Sequence, residues 1–485
     1  MSNDTDKYMV FGLISSGKKY LTQENFGLKI NALGKYLKTK QKWTVEQPAG
    51  EDASYIRSHL GRYLSADAKG NVNCEAETRG ANEKFSLEVQ KDGRWAIRSV
   101  THGNYFGGSD DLLHCNNKTI GGTELWTVHV GVHPQVHIRS VINKRYAKLN
   151  DGELRVREDL PWGEEALITL GFQDGKYTIR TCDDKYLTRL GNLVEEVNED
   201  AQFTLELISG KVAFKDCTGC YLSPIGPTAS LKSKNKSPGK DELFVLEDSY
   251  PQGVFLAHNG KHVSLKQGQD LSANQPADTI EDNETFQLEY DDDSSKWALR
   301  ASADKYWTLV PSSGIQATSI KKTAPEALFT VDYDGKDITI KANNGKYVTA
   351  KPSGHLFAIS EAVTEKEKFK FRLINRPLLV LRGEHGIVGA KSKTKVECNC
   401  VNIKLLHLVY QDGAYKFKGA DGKFWDVDNE GNVNMSEEGG EFILEFRQQS
   451  KLCIRAPNGK LLKGEQSGLF KANGEDVAPD TLFEF

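Results

Sequence analysis

The stretch VHVGVHPQVHI, residues 128–138, joins two strand-like segments through a proline instead of a tight turn. Apolar and polar residues alternate on both sides of this proline, which is typical of β-strands with one buried face. Two later stretches, VLEDSYPQGVFL at 245–256 and FRLINRPLLVL at 371–381, have the same form. Their prolines are 117 and 126 residues apart, so this crossing recurs with a long period. The three prolines are Pro134, Pro251 and Pro377.

A shorter period runs inside the long one and is marked by turns such as NNGKYVTAK at 343–351. In each copy a polar turn, usually with glycine, leads into an aromatic or apolar residue and a short strand-like run. A second run that begins with an aromatic residue, such as FSLEV at 85–89, follows about twenty residues after most copies. The twelve turn positions are spaced by 35 to 44 residues. They are Tyr20, Tyr63, Tyr105, Tyr146, Tyr186, Tyr221, His262, Tyr306, Tyr347, Ile387, Phe424 and Leu461.

Each repeat has room for about four short strands, a pattern shared by β-propeller blades and β-trefoil lobes. Inside a long period the strands turn back through Asp-Gly pairs, which match the twist of paired strands. The proline crossing replaces this turn at every third repeat, which three lobes closing one barrel explain and a propeller does not. Pro48 also lies at a repeat junction, in a longer loop, and weakens the rule slightly. The Asp-Gly pairs are Asp92–Gly93, Asp174–Gly175, Asp334–Gly335 and Asp412–Gly413.

The two periods together predict an all-β protein of four tandem β-trefoil domains. Each domain has three lobes of about 40 residues. We expect the repeated aromatic residues to pack inside the barrels rather than to bind a ligand. The predicted domains are 1–133, 134–251, 252–376 and 377–485.

Composition limits the function. The 485 residues include 63 basic and 67 acidic side chains, a net charge of -4, which gives no global attraction for nucleic acid. No apolar run approaches the roughly 20 residues of a spanning helix, so membrane insertion is not expected. Eight cysteines are too few for a disulfide scaffold, and the N-terminal residues do not resemble a secretory signal. The sequence therefore predicts a cytoplasmic protein.

Signatures of catalysis are absent from the sequence. It contains no phosphate-binding glycine loop, no nucleophile elbow and no zinc-protease motif. Cys217 and Cys220, and also Cys398 and Cys400, have the close spacing of metal or redox pairs. Because zinc needs four converging ligands, we predict that these cysteines are structural or incidental. We expect no enzyme activity, no cofactor and no metal.

Local charge is more informative than the total. A single lysine cluster is ordinary on a solvated loop, but several clusters on an acidic chain suggest docking onto an acidic polymer by complementary potential. The clusters are Lys35, Lys38, Lys40 and Lys42, close after Lys18 and Lys19; Lys391, Lys393 and Lys395; Lys232, Lys234, Lys236 and Lys240; and, more weakly, Lys144 and Arg145.

Several specific strings carry a resemblance to a known family. They are FGLISSGKKYLT at 11–22, RSHLGRYLSAD at 57–67, LPWG at 160–163, GKDELF at 239–244 and INRPLLVLRGEHG at 374–386. With these strings in order along its whole length, the sequence resembles the fascin family. The resemblance implies a cytoplasmic, monomeric protein without cofactor or enzyme activity. Its partner would be filamentous actin, which it would pack into tight parallel bundles in filopodia and similar protrusions of the cytoskeleton.

The resemblance also implies where actin binds. The principal site of the family lies in the cleft where the first and fourth trefoils meet, and a second surface involves the first two trefoils. The residues implied for the cleft site are Lys19, Lys38, Lys40, Glu384, His385 and Lys391, and we predict Lys35 and Lys42 of the same lysine cluster to belong to it. Those implied for the second surface are Arg94, Lys144 and Arg145, with Lys351 in the third trefoil.

This sequence departs from the family pattern at two places. Tyr36 stands where the family has a regulatory phosphoserine, which leaves Thr39 as a possible substitute acceptor. Asn143 stands where a basic residue is usual, so the second surface is expected to be weaker.

Two other classes of function remain open. A cytosolic trefoil lectin would mark its lobes with Q-x-W, and here Gln41-Lys-Trp43 is the one copy evident. A passive scaffold for other proteins is equally compatible with the sequence, and could coexist with bundling.

Overall fold

The structure, a computed structural model, describes residues 7–48, 51–208, 210–265, 268–278, 280–448 and 450–485. These residues form short β-strands and single-turn 3-10 helices, with no α-helix among them, which confirms the predicted all-β fold of β-trefoils. The first six residues of the predicted first domain lie outside this description. The 3-10 helices are Thr39–Gln41, Gly122–Glu124, Glu164–Ala166, Glu199–Ala201, Lys240–Glu242, Pro325–Ala327, Glu365–Glu367 and Pro479–Thr481.

The strands of the first trefoil are β1 (Lys7–Ile14), β2 (Tyr20–Gln23), β3 (Ile30–Gly34), β4 (Trp43–Gln47), β5 (Tyr55–Ser58), β6 (Tyr63–Ala66), β7 (Val72–Ala76), β8 (Phe85–Val89), β9 (Trp95–Ser99), β10 (Tyr105–Ser109), β11 (Leu112–Asn117) and β12 (Leu125–Val130). β1 pairs with β4 and with β12, where Phe11 lies opposite Val130. The pairs β4–β5, β8–β9 and β9–β12 and a bridge between Ser54 and Phe85 complete a closed barrel. The other strands form three hairpins, one in each lobe.

The strands of the second trefoil are β13 (Gln135–Ser140), β14 (Tyr146–Asn150), β15 (Glu153–Glu158), β16 (Ile168–Gln173), β17 (Lys176–Arg180), β18 (Tyr186–Leu187), β19 (Leu193–Val194), β20 (Thr204–Ile208), β21 (Lys211–Lys215), β22 (Tyr221–Ile225), β23 (Ser230–Asn235) and β24 (Phe244–Asp248). This barrel closes in the same way, because β13 pairs with both β16 and β24. The first two trefoils make up one compact unit, which extends to Asp159 and resumes over Ile168–Glu247.

The strands of the third trefoil are β25 (Gln252–Ala257), β26 (Lys261–Ser264), β27 (Ser272–Pro276), β28 (Phe286–Asp291), β29 (Lys296–Ala301), β30 (Lys305–Leu309), β31 (Ile315–Ser319), β32 (Thr330–Asp334), β33 (Asp337–Lys341), β34 (Tyr347–Ala350), β35 (Leu356–Ser360) and β36 (Lys368–Leu373). β25 pairs with β28 and β36, so the third barrel repeats the closure of the first two.

The strands of the fourth trefoil are β37 (Leu378–Leu379), β38 (Leu381–Gly383), β39 (Gly386–Ala390), β40 (Val396–Cys400), β41 (Leu406–Gln411), β42 (Ala414–Lys418), β43 (Phe424–Val427), β44 (Val433–Ser436), β45 (Ile443–Gln448), β46 (Lys451–Arg455), β47 (Leu461–Gly464), β48 (Phe470–Gly474) and β49 (Phe483–Glu484). Its first strand is divided into β37 and β38, and β49 closes the barrel against β38 and β46. Trefoils three and four form a second compact unit, Asp248–Phe485, which also includes Leu160–Leu167.

The three proline crossings occupy equivalent places in these barrels. The carbonyl oxygen of each proline accepts a hydrogen bond from the strand that ends the first lobe of the next trefoil. Proline has no backbone N–H, so only its carbonyl takes part in strand pairing at the crossing. The donors for Pro134, Pro251 and Pro377 are the amides of Leu170, Leu288 and Leu408, at 2.8, 2.9 and 3.1 Å.

The twelve repeated turn residues also occupy one place in the fold. Each is the first or second residue of the second strand of its lobe. This common position explains the short period of the sequence. All twelve are buried or half-buried, in agreement with the predicted packing role.

The apolar core is shared between barrels in one of the two units only. The first barrel encloses its own cluster around Trp43, Phe85 and Trp126, each fully buried. Burying one such side chain contributes about 1.5–3 kcal/mol. In trefoils three and four a single continuous cluster runs through both barrels, and Phe371 meets Phe446 edge to face at 5.6 Å. The four predicted domain boundaries stay a prediction within these two units.

A buried tyrosine joins the barrels inside each unit. The Tyr177 hydroxyl accepts a hydrogen bond from the Val130 amide at 2.9 Å and donates to the Val128 carbonyl at 3.2 Å. In the other unit Tyr415 makes the same two bonds with the last strand of trefoil three, to the Leu373 amide and the Phe371 carbonyl. The same residue type at the same lobe position therefore stabilises both pairs of trefoils.

Candidate functional site

Five lysines of the first trefoil form the candidate site that we call the lysine surface, Lys19, Lys35, Lys38, Lys40 and Lys42. Lys19 lies in the turn before β2, whereas Lys35 follows β3 and the other three lie in or beside the 3-10 helix Thr39–Gln41. The hairpin β2–β3 lies between these segments in the sequence. Short local turns therefore keep all five side chains close to one hairpin.

Two lysines of this surface are held by carboxylates, one of them 91 residues away and the other 16 residues away in the sequence. Lys19 Nζ lies 2.6 Å from Asp110 Oδ1, and Lys40 Nζ lies 2.8 Å from Glu24 Oε2. The hydrogen bond from Lys40 lowers the pKa of Glu24, and the bond from Lys19 lowers the pKa of Asp110. Both carboxylates are therefore ionised at neutral pH and fix the direction of the two ammonium groups.

The remaining three lysines differ in exposure. Lys35 is exposed, and Lys42 is half-buried. Lys38 Nζ lies 5.5 Å from the centre of the Tyr36 ring, close enough for a cation–π contact. Thr39 is exposed at the start of its 3-10 helix. Its use as a phosphate acceptor stays a prediction.

Exposed apolar residues next to the lysines were not identified from the sequence. Phe26, in the β2–β3 turn, is 95% exposed, and Leu112, at the start of β11, is 79% exposed. The two turns are neighbours, since Lys29 Nζ in the first lies 3.0 Å from Asp111 Oδ1 in the second. The sequence signal was an aromatic residue in the polar turn QENFGLK, outside the repeated aromatic positions.

The residues predicted for the fourth trefoil do not form one local cluster. Glu384 is exposed and His385 is half-buried, and the two residues form the tight turn between β38 and β39. Gly386 follows with a φ of 138°, where a Cβ would meet the Asn399 backbone, so this turn requires glycine. Lys391 lies beyond the other end of β39, about 20 Å away along an extended strand. Its Nζ is 2.7 Å from Glu397 Oε2.

The residues predicted for a second surface lie in two turns of the first unit. Arg94 follows the β8–β9 turn and is paired with Asp92 at 2.7 Å. Lys144 and Arg145 lie in the β13–β14 turn, where Arg145 is paired with Asp159. Among the hydrogen bonds and ion pairs of the described residues, none joins Arg94 to the other turn.

Lys351, predicted in the third trefoil, lies at the β34–β35 turn. Its Nζ is 3.7 Å from the centre of the Phe357 ring, so the charge is held over an aromatic face while the side chain stays half-exposed.

The cysteine pairs do not gain ligands in the fold. Over the described ranges, no group of three or more His, Cys, Asp or Glu residues is arranged to hold a metal ion. The eight cysteines all lie in these ranges, and none of them forms a disulfide. No helix in the described part of the chain has the length and apolar character needed to cross a membrane.

Comparison with known proteins gives a consistent result. The family model described as "Fascin domain" matches four times, at residues 17–128, 136–246, 258–371 and 384–485. Fascin-2 of Bos taurus is 43% identical over 482 residues, covering 98% of this chain and 97% of its own. Fascin of Strongylocentrotus purpuratus is 41% identical, with 98% of both chains covered. Among solved structures, a designed three-fold symmetric protein, ThreeFoil, is 13% identical with a TM-score of 0.22, and covers 24% of this chain and 100% of its own.

The four family matches fall one on each trefoil, in the order of the barrels. Together with relatives above 40% identity over nearly the full length, they confirm the resemblance inferred from the sequence. This chain belongs to the fascin family.

Proposed function

We propose that this chain cross-links actin filaments into tight parallel bundles, as in filopodia and similar protrusions. The observation that carries the proposal is the match to fascins along 98% of the chain, because fascins are actin-bundling proteins. In this proposal the protein acts as a cytoplasmic monomer with at least two filament-binding surfaces.

The lysine surface is the first of these surfaces. Its lysines outnumber the nearby carboxylates, so its potential is positive on a chain of net charge -4. A positive patch of this kind steers an acidic filament toward one face of the molecule. The seven lysines of this region are Lys18, Lys19, Lys29, Lys35, Lys38, Lys40 and Lys42, and the carboxylates paired with them are Glu24, Asp110, Asp111 and Asp174.

The ion pairs within the lysine surface limit how much affinity charge alone provides. A filament carboxylate that binds Lys40 replaces Glu24 as its partner, so the net gain is smaller than for a free lysine. We propose that apolar contact through Phe26 adds to the affinity. A fully exposed aromatic ring loses its hydration when a partner covers it.

A cross-linker must engage two filaments at once, so one surface is insufficient. We propose Glu384, His385 and Lys391 as filament contacts of the fourth trefoil. The second surface, Arg94, Lys144, Arg145 and Lys351, is proposed as a weaker contact, because each of its arginines already has a carboxylate partner.

Paired sedimentation with filamentous actin tests the proposal. The purified chain should bring filaments into the low-speed pellet without calcium or nucleotide, since low-speed pelleting reports bundles. A chain that pellets with filaments only at high speed binds without cross-linking, and this contradicts the bundling. Absence from both pellets refutes the actin function itself.

The lectin alternative rests on a single Q-x-W copy, Gln41-Lys-Trp43, among twelve lobes. Trp43 is fully buried, and Gln41 uses its amide within the protein, donating to Thr22 Oγ1 at 3.0 Å and accepting from the Lys38 amide at 3.1 Å. Both side chains are therefore engaged inside the first barrel. A glycan array without binding would exclude a lectin.

A further inference from the structure

One buried carboxylate, that of Glu242, anchors both ends of a short exposed loop in the second trefoil. Asn235, at the end of β23, donates from Nδ2 to Glu242 Oε1 at 2.8 Å, and the Gly239 amide donates to Glu242 Oε2 at 2.8 Å. Glu242 is only 2% exposed, so both ends of the loop are anchored to the barrel. Lys236, Ser237 and Pro238 lie between the anchors, with Lys236 and Ser237 exposed.

Ser237 also has the sequence context of a phosphate acceptor. It is followed by Pro238, and Lys240 stands three residues after it. A kinase can select proline after the acceptor with a pocket that offers no partner to the backbone N–H of that residue. Any other residue would leave its N–H unpaired there, whereas proline has no N–H. No hydrogen bond among the described residues engages the Ser237 hydroxyl.

We propose that Ser237 is a phosphorylation site for a proline-directed kinase that also favours a basic residue at the third following position. In the reaction, Ser237 Oγ forms a bond to the γ-phosphorus of ATP, and the bond from that phosphorus to the bridging oxygen of ADP breaks. The hydroxyl proton passes to the catalytic carboxylate of the kinase. No oxidation or reduction is involved, and the site does not depend on actin binding.

The fold distinguishes this serine from the other Ser-Pro pair of the chain. Ser223 precedes Pro224 in the middle of β22, is 3% exposed and lies opposite Lys232 in the ladder with β23. A kinase needs the acceptor in an extended, accessible segment, so Ser223 is excluded while the barrel is folded.

The first trefoil contains the same loop without the recognition residues. Asn117 and the Gly121 amide both donate to Glu124, each at 2.8 Å, and Thr119 is exposed where the second trefoil has Ser237. Ile120 follows Thr119, and Gly122 stands where the other loop has Lys240. Thr119 is therefore a matched control that is also exposed.

Phosphorylation would change the charge of the surrounding lysine cluster. A phosphoserine carries about -1.5 to -2 charge at pH 7, so the four lysines of this cluster would fall from +4 to about +2. The three phosphate oxygens would accept charge-assisted hydrogen bonds from neighbouring ammonium groups. The cluster is Lys232, Lys234, Lys236 and Lys240.

The test uses the full chain, purified in unphosphorylated form, with a cyclin-dependent kinase and magnesium ATP. Site occupancy is followed by mass spectrometry. We expect labelling at Ser237 with no comparable labelling at Ser223 or Thr119. Pro238→Ala should slow labelling at least about tenfold, because the new amide is unpaired in the kinase pocket.

A gain-of-site variant completes the test. Ile120→Pro with Gly122→Lys transfers the recognition residues to the first trefoil, and a Cβ added at Gly122 meets no atom within 4 Å. Thr119 should then be labelled in the Ser237→Ala background. The proposal is overturned if Ser237 in the folded parent is not labelled, if Pro238→Ala is labelled as fast as the parent, or if Ser223 is labelled equally.

Discussion

Changing Lys38 and Lys40 together to glutamate reverses the charge at the centre of the lysine surface. Lys40 and Glu24 are both about 40% exposed, so their ion pair contributes roughly 0.2–1 kcal/mol. The variant replaces this attraction with repulsion of similar size, and we expect the free energy of unfolding to fall by about 1 kcal/mol. For a unit of this size that is a decrease of about 2–4 °C in the melting temperature.

The effect on filaments should be much larger than the effect on folding. We expect filament affinity through this surface to weaken at least about tenfold, or about 1.4 kcal/mol, and bundles to be lost because bridging needs both surfaces. The assay is paired low- and high-speed sedimentation with filamentous actin, with a thermal melt of each variant. High-speed pelleting should be reduced but still detectable.

The matched control is Lys234→Glu with Lys236→Glu, in the second trefoil. Both double variants take the net charge from -4 to -8, so a general charge effect would act on them equally. Equal bundling by the two variants, whether retained or lost, would refute the assignment of the lysine surface.

Four further outcomes are expected. Bundling should weaken as salt rises, because charge contacts are screened over about 8 Å at physiological ionic strength; sedimentation unchanged from low to high salt would contradict this. Phe26→Ala should reduce filament binding while the melting temperature stays constant, since the ring is exposed; unchanged binding would remove Phe26 from the surface. Tyr177→Phe should cost about 2–4 kcal/mol by leaving a buried amide and a buried carbonyl unpaired, whereas Tyr186→Phe should cost under about 0.5 kcal/mol, because the Tyr186 hydroxyl makes no hydrogen bond to the described residues; equal melting temperatures of the two variants would contradict the stabilising role of Tyr177. Burial raises the pKa of Tyr177 and of Tyr415, so these groups stay protonated in the folded chain when the unfolded chain ionises near pH 10, and stability should fall as pH rises above 10. A flat melting temperature between pH 9 and 11 would contradict that sign.

Local sequence was sufficient for the fold because each lobe repeats its own turn chemistry. The proline crossings at Pro134, Pro251 and Pro377 identified the barrels, and their carbonyls do have equivalent partners in the structure. The grouping into two units was not predictable, because it depends on contacts such as Phe371 with Phe446, 75 residues apart in the chain.

Only part of the candidate site could be read in the same way. Clustered lysines were visible because they are neighbours in the sequence. The pairing of Lys19 with Asp110 joins residues 91 positions apart, and no local sequence pattern predicts it. The exposure of Phe26 could not be predicted either, since a single aromatic residue in a turn can pack against the barrel or face the solvent.

The tyrosine joints give each unit a natural reporter of its own cohesion. The Val130 amide is held by the Tyr177 hydroxyl of the neighbouring barrel, and the Leu373 amide is held likewise by Tyr415. Separation of two barrels would release these amides to exchange with deuterium while the ladder amides inside each barrel remained protected. Exchange at Val130 and Leu373 therefore measures the free energy of separating the two trefoils of a unit. A melting curve reports unfolding and does not resolve this separation.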